Sequence, residues 1–468
     1  MQTDTLIILL FSIAAAVAIL ARQLNLPYTV ALVLTGLALG ALDLFSPPHL
    51  TKELLFTVFL PGLLFEAAFH IRAQEFLHNR WAIASLAVPG VAVAVALTTV
   101  ILTPVIGLWH LEPSFTWTYA LVFGALISAT DPIAVVAVFK TLGVPRRLSV
   151  MLESESLLND GTAIVFFTLS LSLLAGTQVA LGQVTIDFFE IVGFGALIGL
   201  AVGAAVSQVI QRIDDAMIAI TLTSIAAYGS FVAAESLHYS GVIAVVVAGV
   251  VCGNFAKRGG MSTAGRLAVA SFWEYVAFAL NSLVFLLIGL SVKLSALLSS
   301  WKAILIAYLI VTVSRAVVVF AVSGLLRKSR ERVPWQWSLV LTWGGLRGAL
   351  PMVLVLSLPR ELPHWELLVT MTFGVVLISI LAQGVTVSPL LRALGIGAAG
   401  KEHAAHVLAR ERLVAAKVAL EGLPAAEGGE NGGGIRERYE QVCADIQARL
   451  RELEFQEEPP QSVNKPVE

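Results

Sequence analysis

Apolar residues run along most of this chain in long segments, and short polar segments separate them. Most of the apolar segments approach or exceed the roughly 20 residues that a helix needs to cross the hydrocarbon core of a bilayer. The pattern therefore predicts thirteen membrane-spanning helices. Their approximate bounds are 4–21, 28–44, 53–71, 80–107, 115–140, 148–175, 184–211, 214–235, 240–256, 266–291, 301–326, 336–357 and 365–394.

Composition agrees with a membrane protein that crosses the bilayer many times. Of 468 residues, 57% are hydrophobic and 13% are charged, whereas soluble domains carry about 25% charged residues. We expect an all-α polytopic protein with a transmembrane domain over 1–395 and a cytoplasmic helical tail over 396–468, its last residues disordered. The first apolar segment has no basic residues before it, which favours a retained helix over a cleaved signal peptide. The two cysteines lie far apart and indicate neither a disulfide framework nor a metal cluster.

Basic residues between the predicted spans set the orientation. With the N-terminus outside, the inner loops hold fourteen Lys and Arg residues and the outer loops hold four. Cytoplasmic loops of membrane proteins carry such an excess. The sequence therefore predicts a multi-pass protein of the cell membrane with its C-terminus in the cytoplasm.

Six charged side chains fall inside the predicted spans, where a charge costs about 2.5–3.5 kcal/mol on insertion scales. A chain retains such charges where they have a partner or a function. The carboxylates outnumber the guanidiniums by two, as expected of a site for a proton or a cation. These residues are Glu66, Asp131, Glu155, Asp160, Arg315 and Arg347.

The sixth predicted span carries a polar patch. Glu155 and Asn159 are four residues apart, as are Ser156 and Asp160, so on a helix the two pairs lie on adjacent faces. Their oxygen atoms are hard ligands, suited to Na⁺, Li⁺ or H⁺ rather than to a soft metal. A structural polar cluster between helices is the alternative, especially for Glu155, which an arginine would neutralise. Glu153 lies nearer the predicted cytoplasmic edge and suits a solvated entrance.

Two predicted spans contain helix-breaking residues near their middles. The fifth span contains Thr130-Asp131-Pro132, and proline disfavours helix at the preceding residue. The twelfth contains three glycines and a proline around Arg347. Broken helices in corresponding halves of a transporter indicate a binding site at the membrane midplane, and thirteen spans suit two inverted six-helix repeats around a linker. A simple proline kink is the alternative for the fifth span.

The sequence allows more than one role for two other charged residues inside the predicted spans. Glu66 in the third span is either a site residue or a lone charge that extends towards the membrane surface. Arg315 in the eleventh span suits a structural partner for Glu155 or Asp131 better than a transport role. We expect Asp131 and Arg315 to belong to a structural charge network.

Four segments together identify a resemblance that covers residues 1–395. They are LPGLLFEAAF, ATDPIAVVAVF, ESESLLNDGTAIVFF and GGLRGALP. They resemble sodium/proton antiporters of the NhaP type in the first cation/proton antiporter family, which are related to animal sodium/proton exchangers. The resemblance implies an NhaA-like fold of thirteen helices, with helices 5 and 12 discontinuous and crossing. It also implies a homodimer in membrane lipid and an elevator-like core of spans four to six and eleven to thirteen.

The resemblance also implies which residues bind the cation. The ligand set would be Asp160 together with Ser156, Thr130 and Glu66, and it would hold a monovalent cation alone. Asp160 would bind either the proton or the cation. Asn159, beside it in the chain, would hold the crossing region together, and we group it with Asp160 as essential for activity.

The resemblance further implies that Glu155 pairs with Arg347. A paired Glu155 would not titrate, and Asn159 occupies the position at which a second aspartate would add a charge. We therefore expect electroneutral exchange of one Na⁺ or Li⁺ for one H⁺ by alternating access, with a role in pH homeostasis.

Other functions remain as alternatives. A K⁺/H⁺ antiporter on the same scaffold is the nearest, and an ion-gated channel or sensor is less favoured. The chain has no nucleotide-binding motif and no nucleophile–base arrangement, so we expect a secondary transporter rather than an enzyme, without cofactors or nucleic acid. The transported ions would be H⁺ and Na⁺, Li⁺ or K⁺. The tail sequence predicts a helix before EGGENGGG and an amphipathic helix after it, which suits regulation or dimer contact as well as a solvated hairpin.

Overall fold

The fold comes from a computed structural model of the chain. It describes residues 3–24, 28–42, 55–109, 114–176, 181–213, 215–255, 261–291, 294–397, 412, 441–446 and 448. Within these residues the secondary structure is helical and contains no strand, which confirms the predicted all-α class. Helices suit a membrane because they satisfy their own backbone polar groups. Most of the predicted tail lies outside the described residues, and 441–446 is helical.

The helices follow the predicted spans closely. In the first half of the chain they are α1 (Thr3–Leu24), α2 (Tyr28–Ala41), α3 (Leu60–His70), α4 (Ala73–His78), α5 (Arg80–Ser85), α6 (Val91–Leu108), α7 (Trp117–Ile127), α8 (Ile133–Leu142), α9 (Arg146–Leu174) and α10 (Leu181–Ile210). In the second half they are α11 (Ala216–Ser236), α12 (Gly241–Phe255), α13 (Thr263–Ser291), α14 (Leu294–Ser299), α15 (Trp301–Leu325), α16 (Trp335–Trp343), α17 (Ala349–Leu356), α18 (Trp365–Ile378) and α19 (Gly384–Ala393).

Seven helical segments in the described part are long and apolar enough to cross a membrane. The fifth predicted span is instead divided into α7 and α8, and the twelfth into α16 and α17, as the helix-breaking residues predict. The thirteen-span count and the inverted repeats stay predictions. The sequence did not predict three π-helical turns, at Leu55–Phe59, Leu86–Gly90 and Ser379–Gln383; they extend α3, join α5 to α6 and join α18 to α19.

Small residues allow α2 and α13 to pack at very short range. A Cβ atom on Gly36 would overlap the backbone of α13, and a Cβ atom on Gly289 would overlap the backbone of α2. Without a hydrophobic driving force between helices in lipid, such close contact provides the association energy. Apolar residues of both helices, Val33 and Leu286 among them, belong to the larger apolar core.

Polar contacts join several segments at the end of the molecule that the sequence predicts to be cytoplasmic. Arg147, in the first turn of α9, donates through Nε to Asn79 Oδ1 at 2.7 Å. The buried Glu331 accepts from the Ala82 N–H in α5 at 2.8 Å. The guanidinium of Arg147 also lies over the ring of Trp337 in α16. These contacts tie together the starts of the predicted spans four, six and twelve.

Candidate functional site

The interruption between α7 and α8 exposes backbone polar groups inside the protein. Residues 128–132 are not helical, and Pro132 has no N–H to donate. The Asp131 side chain compensates, because its Oδ1 accepts the Ile133 N–H at 3.0 Å at the start of α8. A carboxylate at this position also interacts favourably with the positive end of the helix dipole.

The two interruptions contact each other directly. The Asp131 N–H donates to the carbonyl oxygen of Leu346, between α16 and α17, at 2.8 Å. The side chain of Asp131 packs on Gly348, where a Cβ atom would overlap it. The described part of the chain therefore brings the broken fifth and twelfth spans into one crossing, held in part by backbone.

Arg347 binds the ends of neighbouring elements rather than a carboxylate. Its Nη1 donates to the carbonyl oxygens of Ser128 at 2.9 Å and Ala129 at 3.3 Å, where α7 ends. Its backbone N–H donates to Ser379 Oγ at 3.1 Å. A cation is favourable at a helix C-terminus, where carbonyl groups lack intrahelical partners. Arg347 thus stabilises the broken end of α7.

The ion pair of Glu155 differs from the one that the family resemblance implies. Glu155 accepts two parallel bonds from Arg315 on α15, at 3.0 Å and 2.9 Å, so the implied pairing with Arg347 is wrong, and Arg315 is the structural partner of Glu155 that its mid-span position suggested. Both side chains are buried. Arg315 also donates to the Leu341 carbonyl near the end of α16. It therefore stabilises the end of the first half of the broken twelfth span, as Arg347 stabilises the end of α7 in the broken fifth span.

A glycine makes room for this arginine. A Cβ atom at Gly345 would overlap the guanidinium of Arg315. We predict that Gly345→Ala lowers the free energy of unfolding by about 1–3 kcal/mol, the usual cost of overpacking. Apparent melting temperatures of the purified variants measure this effect. Gly324→Ala is the control, because a Cβ there meets nothing within 4 Å; equal losses in both variants would contradict the prediction.

Three of the predicted site residues form one hydrogen-bonded group. Thr130 Oγ1 donates to Ser156 Oγ at 3.2 Å, and Ser156 Oγ donates to the Thr130 carbonyl oxygen. Asn159 Nδ2 donates to Thr130 Oγ1 at 3.3 Å and to Glu155. All three are buried. Asn159 therefore links the polar patch of α9 both to the first interruption and to the Glu155–Arg315 ion pair.

Asp160 lies beside this group, and its carboxylate can accept more hydrogen bonds than the described residues donate to it. A backbone hydrogen bond from Thr130 reaches its carboxylate, and Asp131 and Glu155 lie within electrostatic range. Its buried Oδ1 has no hydrogen-bond partner among the described residues, and neither has Asn159 Oδ1. A buried acceptor without a partner is costly. A bound proton or cation would remove that cost at Asp160.

Glu66 is not part of this group. Its Oε1 lies 3.3 Å from His70 Nδ1, one turn further along α3. The structure thus brings together Asp160, Asn159, Ser156 and Thr130, and places Glu66 in a separate contact with His70.

Sequence reasoning missed Ser379 and Gln383. Ser379 Oγ accepts from the Arg347 backbone and donates to Gln383 Oε1 at 2.7 Å, within the π-helical turn. Both are buried. Two polar residues four apart in an apolar span share a helix face, and that spacing is a signal that could have found them.

The sequence profile of the transmembrane sodium/hydrogen exchanger family matches residues 7–393. The chain belongs to this family. The resemblance drawn from the four segments is therefore confirmed, and this exchanger is a multi-pass membrane protein. The matched range contains every residue of the crossing described above.

Known proteins resemble this exchanger over most of its length. The Na⁺/H⁺ antiporter ApNhaP of Aphanothece halophytica is 38% identical over 80% of the chain and 70% of its own length. The Na⁺/H⁺ antiporter NhaH of Halobacillus dabanensis is 36% identical over 83% of the chain and 97% of its own. The solved structure of the sodium proton antiporter MjNhaP1 of Methanocaldococcus jannaschii has a TM-score of 0.70 at 20% identity, covering 84% of this chain and 98% of that one. This last likeness is one of fold.

Proposed function

We propose that this chain is a secondary antiporter that exchanges Na⁺ or Li⁺ for H⁺ across the cell membrane, with Asp160 binding either ion. The observation that carries the proposal is the buried, unpartnered Oδ1 of Asp160 beside the Thr130–Ser156 pair. The similar proteins of Aphanothece halophytica and Halobacillus dabanensis are named Na⁺/H⁺ antiporters. As a secondary transporter, the chain carries out no catalytic conversion of a substrate.

The ligands around Asp160 suit a small, hard cation. The carboxylate and the hydroxyl groups of Thr130 and Ser156 supply oxygen atoms, which alkali-metal ions prefer to nitrogen or sulfur. Burial disfavours a charged carboxylate without a counter-charge. Asp160 therefore binds a proton or a cation in turn, and competition between the two ions at one site couples their movements.

Charge at the crossing supports an exchange of one cation for one proton. It contains three carboxylates, Asp131, Glu155 and Asp160, and two guanidiniums, Arg315 and Arg347. A single proton or monovalent cation neutralises the remainder. The sequence suggested an excess of two because it counted Glu66, which lies outside the crossing in contact with His70.

Transport requires that the site open to each side of the membrane in turn. We propose that the crossing and α9 move as one unit in a homodimer, with the N-terminus outside and the C-terminus in the cytoplasm. The excess of basic residues in the predicted inner loops supports this orientation. Regulation by the tail remains part of the proposal.

A transport assay in proteoliposomes tests the proposal. We predict that imposed gradients of Na⁺ and Li⁺ drive proton movement, and that a clamped membrane potential changes the rate by less than about twofold, because one-for-one exchange moves no net charge. Proton movement driven by K⁺ but not by Na⁺ would favour a K⁺/H⁺ antiporter. Conductance without saturable exchange would favour a channel.

A further inference from the structure

A small polar cavity lies between α15, the interruption after α16 and the π-helical turn that follows α18. The centre of a water molecule can occupy about 10 Å³ of it, which is room for one small molecule. The side chains that line it include Tyr308, Thr342, Arg347 and Gln383, and no carboxylate is among them. The cavity is therefore polar and positively charged on its protein side.

The hydroxyl group of Tyr308 is buried in this lining. It has no hydrogen-bond partner in the part of the chain that the structure describes, and the residue is only 9% exposed. Gln383 approaches the hydroxyl group without the geometry of a hydrogen bond, and Arg347 lies within electrostatic range. A buried hydroxyl group without a partner is costly, so a partner bound in the cavity would stabilise the fold.

The guanidinium of Arg347 has more donors than the described residues accept. It carries five N–H groups, and those on Nη1 donate to the carbonyl oxygens of Ser128 and Ala129. The groups on Nε and Nη2 donate to no described residue. Because Arg347 is buried and lines the cavity, a molecule in the cavity is in a position to accept from it.

Other lining residues offer both donors and acceptors. Ser379 Oγ donates to Gln383 Oε1, so the Gln383 amide keeps its NH₂ group as a donor. Thr342 Oγ1 donates to the Ser338 carbonyl oxygen at 2.8 Å and keeps its lone pairs as acceptors. A molecule that fits must therefore both accept and donate. Water does both, and buried waters typically make about three hydrogen bonds.

Charge disfavours an anion in this cavity, although two arginines line it. Arg315 is already neutralised by two parallel hydrogen bonds to Glu155. The crossing as a whole has three carboxylates and two guanidiniums, so an anion would increase an excess of negative charge in a medium that solvates charge poorly. A neutral water molecule leaves that balance unchanged.

We propose that this cavity is a binding site for one ordered water molecule, which accepts hydrogen bonds from Arg347 and Tyr308. The water completes the hydrogen bonding of the guanidinium that stabilises the broken end of α7. It is thus a structural part of the interrupted twelfth span, and it links that interruption to α15. The site does not depend on which ions the chain exchanges.

Removal of the Tyr308 hydroxyl group distinguishes a hydrated cavity from a dry one. Tyr308→Phe takes a partner away from the water, so the apparent melting temperature of the purified protein should fall by about 2–4 °C. In a dry cavity the same change deletes a buried hydroxyl group that has no partner, and the melting temperature should rise. Tyr275→Phe alters an exposed tyrosine of α13; it is the control and should melt like the wild type.

Hydroxyl-radical footprinting detects the water directly. Brief X-ray irradiation converts water into hydroxyl radicals, which oxidise the side chains next to it. Tyr308 should be oxidised several times faster than Phe285, a ring that is 1% exposed and packed in the apolar core. Val311→Ile adds a methylene group to a residue that lines the cavity. It should displace the water and lower the oxidation of Tyr308 to the rate of Phe285.

Three results would overturn this assignment. The first is oxidation of Tyr308 in the wild type no faster than that of Phe285. The second is a melting temperature of Tyr308→Phe at or above that of the wild type. The third is a wild-type melting temperature that falls when gluconate replaces chloride while that of Tyr308→Phe does not, because an anion would then occupy the cavity. If Tyr308→Phe does not fold, the oxidation rate in the wild type decides. Neither measurement requires transport, so failure here leaves the proposed antiport untouched.

Discussion

Asp160→Asn is expected to abolish proton movement driven by Na⁺ or Li⁺. The amide preserves the shape of the side chain but neither takes up a proton at physiological pH nor carries the charge that binds a cation. Asp160 Oδ1 is a buried acceptor without a partner among the described residues, so the substitution removes no protein contact of that atom. Proteoliposomes with a pH-sensitive dye measure the loss, which should reach the background of empty vesicles.

Glu190→Gln is the matched control for that experiment. Glu190 is an exposed carboxylate of α10, and the same change from acid to amide should leave the exchange rate within about twofold of the wild type. Circular dichroism and elution volume should show that both variants are folded. Normal exchange by folded Asp160→Asn would refute the proposal that this carboxylate binds the transported ions.

Neutralising one partner of the Glu155–Arg315 ion pair should have the second large effect, a loss of stability. Glu155→Gln or Arg315→Gln leaves one buried charge without its partner, which typically costs about 3–5 kcal/mol. The double variant should lose less than the sum of the single losses, because contacting residues couple by about 0.5–3 kcal/mol. Unfolding in mixed detergent micelles measures these free energies.

A second double-mutant cycle, between Glu155 and Arg347, distinguishes the two arginines. Glu155 and Arg347 share no hydrogen bond among the described residues, whereas Arg347 binds the carbonyl oxygens at the end of α7. The coupling energy between Glu155 and Arg347 should therefore be smaller than the coupling energy between Glu155 and Arg315. A coupling energy at Arg347 that equals or exceeds the one at Arg315 would show that the expectation from the family resemblance is right and this geometry wrong.

The sequence predicted those features that a single segment determines. Pro132 and the glycines around Arg347 have poor helical propensity wherever they lie, so both interruptions were predictable. Ser156, Asn159 and Asp160 follow helical spacing on one element. Their proximity to Thr130 came from the family resemblance, which places all four residues in one ion site, and not from spacing within the chain.

Contacts between distant elements were not predictable in this way. Arg315 and Arg347 both lie in mid-span, and spacing within a helix says nothing about which one faces Glu155. That choice depends on the rotation and depth of α15, which its packing against α6, α16 and α18 sets. The pairing of Glu66 with His70 at 3.3 Å was missed although their spacing of four was visible. A site role for Glu66 and an ion pair with a neighbour were both compatible with that spacing.

The hydrogen bond from Asp131 to the Leu346 carbonyl joins the two interrupted helices through main-chain atoms. Because no side-chain exchange deletes a carbonyl oxygen, the joint tolerates variation in the surrounding residues. The lining of the ion site is therefore free to change while the joint that carries it stays intact. Under the proposed mechanism, ligand oxygens can be exchanged to suit another alkali-metal ion while this main-chain joint is kept.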